Sequence, residues 1–301
     1  MRRFSNYDLT GQPPVLAWNP IVMRCPGCGL DADPTFHPGR ADKHCWHLRA
    51  CDMGANNPKL PMWMRDIKAG RRPANVRGIE LSAPANRCEP AVIATGFMGD
   101  PAWWGEGECA AVLAVIRWSQ RHTFLLLTKW PERLEGVQFP DNAWIGVSVT
   151  NQADADRRIP ALLRLLCRHR WVSVEPMLGP VDVTQCRHRA SGPGSCAPAS
   201  PPTGTIYNAL TGAEMGYDWH GSTAGHGPCA KRVEFVACGP ETGPRARPCD
   251  PTWIVNLRDQ CSDAGVPFYD KRDPGAGRFG NCGRDWPQEW KAANGTKGMT
   301  P

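Results

Sequence analysis

Four cysteines near the amino terminus have the residue type and spacing of metal ligands. They are Cys25, Cys28, Cys45 and Cys51, and His37, His44 and His47 are interleaved with them. Cys25-Pro-Gly-Cys28 places two thiolates close enough along the chain to bind one metal ion or cluster. A disulfide framework is a poor explanation, because thiols inside cells stay mostly reduced and nothing in the sequence marks the chain for export. The group therefore predicts a metal centre.

Two kinds of centre fit these ligands. A structural zinc site would add Cys45 with His47 or Cys51 to the first pair. A [4Fe–4S] cluster would take three cysteines, and its open iron could then chelate the amino and carboxylate groups of S-adenosylmethionine and release a 5′-deoxyadenosyl radical. The usual C-x3-C-x2-C spacing is absent, because residues 29–44 separate the second cysteine from the third. Spacing alone leaves both chemistries open.

The other cysteines are scattered singly along the chain. They are Cys88, Cys109, Cys167, Cys186, Cys196, Cys229, Cys238, Cys249, Cys261 and Cys282. Free cysteine behaves mainly as a small hydrophobic residue. We expect these ten to be buried apolar residues or loop thiols.

Composition bounds the class of protein. The chain has 301 residues, 41% hydrophobic and 21% charged, which suffices for a large α/β barrel and excludes wholesale disorder. No apolar run approaches the roughly 18 residues of a membrane span, and the first residues lack an apolar export segment. We expect a cytoplasmic protein. The net charge of +6 permits a nucleic-acid partner without requiring one.

Short apolar runs alternate with helical patterns. The predicted strands are residues 15–18, 92–97, 123–128, 144–149, 171–174, 234–238 and 266–269, and the predicted helices are 108–120, 152–166 and 251–264. Continuous apolar runs of this length suit strands buried on both faces. Repeated strand–helix units favour a parallel α/β barrel or a doubly wound sheet. Asp250, followed by a proline, is the predicted N-cap of the third helix.

The chain is predicted to form one α/β barrel domain over residues 1–273. Within it, a cluster loop covers about residues 18–55, and a Pro/Gly-rich insertion covers about residues 186–230. Residues 274–301 form a polar, Gly-rich tail.

Polar side chains follow the predicted strands. They are Asp100, Lys129, Asn151, Glu175, Glu241 and Lys271. The carboxyl ends of barrel strands form the reaction face, so these residues are site candidates, with Glu175 and Glu241 the foremost. Trp103 and Trp104 either pack a barrel helix or stack on a base.

Longer motifs identify a resemblance. They are WNP at 18–20, CWH at 45–47, FMGD at 97–100, HTFLLLTKWPER at 122–133, WIGVSVTNQ at 144–152, VSVEPMLGPV at 172–181, GPETGPRARP at 239–248, LRDQC at 257–261 and GVPFY at 265–269. With these motifs the chain resembles phage-encoded proteins of the radical SAM superfamily, of the thymidine-hypermodification type. The resemblance covers most of residues 15–55 and 92–273. It implies a partial (β/α) barrel of radical SAM type with an N-terminal Fe–S cluster loop.

The resemblance also implies a cluster site. Family members carry a compact cysteine loop that closes in C-x2-C, whereas this chain has Asp42 three residues before Cys45. The simplest assignment makes Cys25, Cys28 and Cys45 the three ligands of a [4Fe–4S] cluster. Cys51 is the alternative to Cys45.

The implied activity is isomerisation of N-linked glycyl-thymidine to the C-linked form in phage DNA, using S-adenosylmethionine and an electron donor. Such a modification would shield viral DNA from host restriction, and the enzyme would act in the host cytoplasm. The target base of the DNA must be flipped out of the duplex, or lie in a single strand, to reach a barrel mouth. An alternative is a radical SAM enzyme for another modified nucleotide or a small molecule. A second is a zinc-containing nucleic-acid-binding protein without radical chemistry.

Strand-end position suggests roles for individual residues. Glu175 and Glu241 are the catalytic candidates. Asp100, Asn151 and Glu175 are candidates for binding the cofactor. Lys129, Arg245 and Arg247 are candidates for contacting DNA phosphate.

Overall fold

The computed structural model describes residues 2–3, 15–23, 53–69, 75–76, 78–97, 99–188, 204–217, 223–226, 231–242 and 246–272. The strands are β1 (Arg2–Arg3), β2 (Leu16–Trp18), β3 (Ile21–Val22), β4 (Asn75–Val76), β5 (Val92–Thr95), β6 (Thr123–Thr128), β7 (Ala143–Val149), β8 (His169–Val174), β9 (Cys186–His188), β10 (Gly204–Asn208), β11 (Ala213–Tyr217), β12 (Thr223–His226), β13 (Phe235–Cys238) and β14 (Phe268–Asp270). The helices are α1 (Met62–Lys68), α2 (Gly78–Leu81), α3 (Glu106–Trp118), α4 (Gln152–Arg164) and α5 (Pro251–Asp263).

The main sheet has eight strands in the order β1-β2-β5-β6-β7-β8-β13-β14. Strand β1 is antiparallel to β2, and the other seven are parallel to one another. The parallel strands curl into a half-barrel. This architecture confirms the predicted mixed α/β fold and agrees with a partial barrel, whereas most of the predicted cluster loop, residues 24–52, lies outside the described residues.

All seven predicted strands of the sheet form, within two residues of their expected ends. Every residue of β7 is buried, as expected of a parallel strand covered on both faces. The three predicted helices correspond to α3, α4 and α5. The Asp250 side chain caps α5 by accepting a 2.8 Å hydrogen bond from the Thr252 N–H, which confirms the predicted N-cap.

The sheet has two different faces. On one face, helices α3, α4 and α5 pack their apolar residues against the side chains of alternate strand positions, for example Ile116, Ile159 and Leu257. The opposite, interior face is filled by large side chains. Trp144, Trp171, Phe235 and Tyr269 form its centre, with the edge-on ring of Phe97 against Trp171.

The insertion contains a second sheet that the sequence did not predict. Strands β9 to β12 form a four-stranded antiparallel sheet in the order β12-β11-β10-β9. This sheet lies in the chain between β8 and β13, where a barrel would ordinarily have a helix. The predicted tail, residues 274–301, lies outside the described residues. None of the helices in the described ranges is long and apolar enough to cross a membrane.

One interior position depends on a glycine for space. A Cβ on Gly146 would collide with the indole of Trp171. The missing side chain lets that indole lie across β7, where its N–H donates to the carbonyls of Leu126 and Trp144. Packing of the interior therefore couples β6, β7 and β8.

We expect Gly146→Ala to lower the free energy of unfolding by about 1–3 kcal/mol, because overpacking a filled core forces neighbouring side chains to move. Denaturant unfolding measures the change. Gly107→Ala is the matched control, because a Cβ there meets nothing within 4 Å and alanine favours the helix. Equal stability of the two variants would contradict the expected clash.

Candidate functional site

Three strand exits come together because of the sheet register. Val174 of β8 pairs with Cys238 of β13, which pairs with Asp270 of β14. The next row is therefore Glu175, Gly239 and Lys271. The Gly239 N–H donates to the Val174 carbonyl at 3.2 Å, and the Lys271 N–H donates to the Cys238 carbonyl at 3.0 Å. The ladder thus continues past the strand ends.

This row faces the interior. Side chains alternate along a strand, and Val174 and Cys238 pack on the helix-covered face. Glu175 and Lys271 consequently share the face of Trp171 and Tyr269. Gly239, which separates them, has no side chain, and a Cβ there would lie 3.2 Å from Lys271 Cβ and Cδ. The lysine side chain can therefore cross the middle strand to reach Glu175.

Glu175 and Lys271 form an ion pair between Glu175 Oε2 and Lys271 Nζ. Their side chains are only 19% and 16% exposed, respectively. The other carboxylate oxygen, Oε1, is buried and has no hydrogen-bond partner among the described residues. The Ser148 hydroxyl donates to the Glu175 carbonyl oxygen at 3.3 Å. The pair therefore offers a buried acceptor beside an ammonium group.

Apolar side chains lie on the same face as this pair. Phe97 and Leu127 are partly buried and pack against the interior cluster that contains Trp171. We call the carboxyl edge of the interior face, with Phe97, Leu127, Ser148, Glu175 and Lys271, the interior mouth. Its apolar side chains, Phe97 and Leu127, are called the floor, and the Glu175–Lys271 pair is called the wall. Apolar groups combined with a few hydrogen-bonding groups are the usual character of a small-ligand site.

Asp100, a predicted cofactor ligand, makes three hydrogen bonds within the chain. Its Oδ1 accepts from the Thr128 hydroxyl at 2.6 Å and the Ala102 N–H at 3.0 Å, and its Oδ2 accepts from the Lys129 N–H at 2.8 Å. Burial raises the pKa of Asp100, although these hydrogen bonds act in the opposite direction. Through these hydrogen bonds, Asp100 links the carboxyl ends of β5 and β6 and fixes the backbone of Lys129. A cofactor contact by Asp100 stays a prediction.

Asn151, the other predicted cofactor ligand, is the N-cap of α4. Its Oδ1 accepts from the Asp154 N–H at 3.0 Å. Asp154 in turn accepts from the Thr150 N–H at 3.1 Å and the Thr150 hydroxyl at 2.7 Å. The exit of β7 is therefore held by side chains of α4. Binding of the cofactor by Asn151 stays a prediction.

Glu241 and Arg247, predicted to act separately, are bonded to each other. The Arg247 Nε and Nη2 donate to Glu241 Oε2 and Oε1 at 2.7 and 2.8 Å, and the Arg247 backbone N–H also donates to Oε2 at 2.8 Å. This bidentate pair closes the loop after β13. Nη1 of Arg247 is buried without a hydrogen-bond partner among the described residues. A catalytic role of Glu241 and phosphate binding by Arg247 stay predictions.

Several predicted residues lie outside the described part of the chain. They are Cys25, Cys28, Cys45, Cys51 and Arg245. Among the described residues, no group of three or more His, Cys, Asp or Glu side chains is arranged to hold a metal. The chain leading to the first cysteine is described as far as Met23. A Cβ on Gly99, just after β5, would lie 2.7 Å from Met23 Cγ, so Met23 packs at the carboxyl edge of the sheet.

The two adjacent tryptophans take part in packing. Trp104 is buried and its indole N–H donates to the Gly99 carbonyl at 3.1 Å. Trp103 makes an edge-to-face contact with Trp130, with ring centroids 6.0 Å apart. The Arg133 guanidinium lies 3.9 Å from the centre of the Trp103 ring. These contacts favour the packing interpretation of Trp103 and Trp104 over base stacking.

Most of the scattered cysteines that are described behave as expected, whereas Cys109 is half-buried on helix α3. Cys186, Cys238 and Cys261 are buried, whereas Cys88 is exposed. Burial raises the pKa of the Cys261 thiol to about 12. Burial, followed by the nearby Glu175 and Asp270 carboxylates, raises the pKa of the Cys238 thiol. Burial also raises the pKa of Cys186. These three thiols are core residues; Cys196, Cys229 and Cys282 lie outside the described residues.

Gly239 and Ser148 are two residues of the site that sequence reasoning did not single out, as Phe97 and Leu127 also were not. Both lie within the matching motifs, but a glycine and a serine carry no charge that would mark them. Their importance comes from register. Gly239 leaves room for the ion pair, and Ser148 donates to the Glu175 carbonyl.

We expect Gly239→Val to displace Lys271 from Glu175, because the new side chain would occupy the path of the lysine. The reaction rate of Lys271 with an acylating reagent, followed by mass spectrometry, should rise several-fold as the amine becomes exposed. Gly179→Ala is the control, since a Cβ there makes only an ordinary 3.6 Å contact with Asn151. An unchanged acylation rate in Gly239→Val would show that the glycine is not needed for the pair.

Comparison with known proteins gives a family and no closer relative. No curated protein and no solved structure matches the chain. One family model, described as a protein of unknown function (DUF5131), matches residues 39–295. The match covers most of the chain, including the strands and helices that build the interior mouth. The protein therefore belongs to the DUF5131 family.

Proposed function

We propose that the chain is a radical SAM isomerase that converts N-linked glycyl-thymidine to the C-linked form in phage DNA. One observation carries the proposal: the interior mouth and the segment leading to the cysteines lie at the same edge of the half-barrel. Glu175 has a buried acceptor there. Met23, two residues before Cys25 in the sequence, packs against Gly99 at the same edge, within the cluster on the helix-covered face. In β/α barrels this carboxyl edge is the reaction face.

The residues of this chain fit the two groups that this reaction requires, a [4Fe–4S] cluster and S-adenosylmethionine. Cysteine thiolates are the usual ligands of [4Fe–4S] clusters, and Cys25, Cys28 and Cys45 would hold one, with Cys51 as the alternative third ligand. Glu175 is the best placed of the predicted ligand-binding carboxylates, because its buried Oε1 has no hydrogen-bond partner among the described residues, whereas both oxygens of Asp100 already accept hydrogen bonds. When bound, the cluster and S-adenosylmethionine supply abstraction of a hydrogen atom from an unactivated carbon.

The protein's own part is to bind, orient and exclude water. Trp171, Phe235 and Tyr269 fill the interior below the mouth, so water has little space beneath a bound substrate. The Glu175 carboxylate is held in place by Lys271, and it would accept a hydrogen bond from the substrate or the cofactor. Asp100 fixes the backbone at Lys129, whose side chain would contact DNA phosphate together with those of Arg245 and Arg247.

Electron paramagnetic resonance on anaerobically purified, reduced protein tests the class. We expect a [4Fe–4S]⁺ spectrum that changes shape when S-adenosylmethionine is added. A colourless protein with one bound zinc, even after reconstitution with iron and sulfide, would overturn the radical mechanism and favour a zinc-containing nucleic-acid-binding protein.

The substrate requires a separate assay. DNA containing N-linked glycyl-thymidine, incubated with the reduced protein and S-adenosylmethionine, should yield the C-linked isomer on nucleoside analysis. A cluster that responds to S-adenosylmethionine without this conversion would retain the radical SAM class. It would reassign the substrate to another modified nucleotide or a small molecule.

A further inference from the structure

The interior mouth offers a hydrogen-bonding pattern, and not simply a charge. Glu175 Oε1 is a buried acceptor, and the Lys271 ammonium group is held beside it by Oε2. A buried acceptor without a partner is costly, so native sites pair such atoms with a donor. A ligand that complements this wall must therefore present a donor next to an acceptor.

The charge of the wall narrows the class of ligand. Lys271 already neutralises the Glu175 carboxylate. A second cation at Oε1 would leave an excess positive charge in a poorly solvated place, which is unfavourable. A neutral N–H group beside a carbonyl oxygen completes the hydrogen bonds without adding charge.

The apolar side chains of the floor narrow the class of ligand further. Phe97 and Leu127 pack partly buried against the interior cluster, and the Phe97 ring stands edge-on to Trp171, with centroids 6.4 Å apart. Apolar and aromatic side chains of this kind bind the faces of flat heterocycles. Enzymes that act on an extruded base stack it on such side chains and read its Watson–Crick edge by hydrogen bonds.

We propose that the Glu175–Lys271 pair recognises the Watson–Crick edge of a thymine base held in the interior mouth. The N3–H of the base donates to Glu175 Oε1, and the neighbouring O4 carbonyl accepts from Lys271 Nζ. This assignment rests on the proposed function, which supplies thymidine as the substrate nucleoside. It makes Glu175 and Lys271 specificity-determining residues.

Binding of modified oligonucleotides tests the assignment. The probes are two fluorescent oligodeoxyadenylates, one with a single thymidine and the other with N3-methylthymidine at the same position. The protein is the full chain after reconstitution with iron and sulfide. We expect N3-methylation to weaken binding about tenfold or more, because it removes one hydrogen bond to a charged acceptor and leaves that acceptor unpaired.

The variant Glu175→Gln should bind both probes equally, within about twofold. Lys271 Nζ donates to residue 175, so the glutamine oxygen turns toward it and the amide NH₂ faces the donor N3–H of thymine. Glu234→Gln is the matched control at the opposite edge of the sheet, where Glu234 accepts a hydrogen bond from the Arg170 N–H and contacts His169. It should keep the full preference for the unmethylated probe. Circular dichroism melting confirms that both variants are folded.

The outcomes separate the two proposals. Equal binding of the two probes by the unmodified protein would overturn recognition of the base edge but leave the proposed function standing. Full preference for thymidine in Glu175→Gln would also overturn it. Failure to bind either probe would also overturn recognition of the base edge. The proposed function would be overturned only if glycyl-thymidine DNA were neither bound nor converted.

Discussion

Replacement of Cys25, Cys28 or Cys45 by alanine is expected to abolish the cluster and all turnover. A [4Fe–4S] cluster with an open iron has only three protein ligands, so the loss of one leaves it weakly held. Even outer-shell substitutions lower metal affinity by roughly 10- to 100-fold, and removing a direct ligand should cost more. The measurements are iron and acid-labile sulfide per chain after anaerobic reconstitution, with visible absorbance as an independent check.

Two other cysteines provide the controls. Cys51→Ala should leave iron and sulfide unchanged, because Cys51 is the alternative ligand and not the assigned one. Cys88→Ala should also be silent, since Cys88 is an exposed free thiol. Loss of iron in Cys51→Ala, together with full retention of iron in Cys45→Ala, would show that Cys51 and not Cys45 is the third ligand. Stoichiometric zinc in the unmodified protein, lost in the same variants, would instead favour the zinc module.

The large sheet could be predicted from sequence because buried parallel strands have a recognisable pattern. Strands β6, β7 and β8 are buried on both faces, so their sequences are nearly continuous apolar runs that stand out from their surroundings. The insertion carries no such pattern. Strands β10 and β11 read GTIYN and AEMGY, in which small and polar residues interrupt the aliphatic ones. Antiparallel pairing between neighbouring segments builds that sheet without a continuous apolar run.

The candidate site could be predicted only as a set of strand ends. The sequence places Glu175 and Lys271 after strands, but they meet only because β8, β13 and β14 are neighbours in the sheet. Strand order depends on packing across 96 residues of chain, which local patterns do not encode. The same is true of Asp100, whose bonds to Thr128 and Lys129 depend on β5 lying beside β6. Residue type and strand-end position therefore predicted the candidate site residues, and the order of the strands in the sheet determines which of them are in contact.

Buried Arg158 is a further residue that no sequence pattern revealed, and its loss should have the largest effect on stability. Its side chain is 2% exposed and pairs with Asp154 at 2.8 Å, while its Nη1 donates to the Ser148 carbonyl at 2.6 Å. We expect Arg158→Met to lower the free energy of unfolding by about 3–5 kcal/mol, because it leaves the carboxylate of Asp154 without its cation in a poorly solvated place. Denaturant unfolding measures this loss.

Two comparisons distinguish loss of the buried pair from a general effect of removing an arginine. Arg168→Met breaks an ion pair with Asp141 whose side chains are 64% and 74% exposed, and it should cost less than about 1 kcal/mol. The double variant Arg158→Met/Asp154→Asn should recover part of the lost stability, since the uncompensated charge is gone. A loss in Arg158→Met no greater than in Arg168→Met would show that burial of the Arg158–Asp154 pair, and its hydrogen bond to Ser148 of β7, adds little stability. Because Asp154 also bonds Thr150, and Asn151 caps the same helix turn, the variant should loosen the β7 exit beside the interior mouth. Weaker binding of S-adenosylmethionine by the folded variant would then be the expected functional consequence.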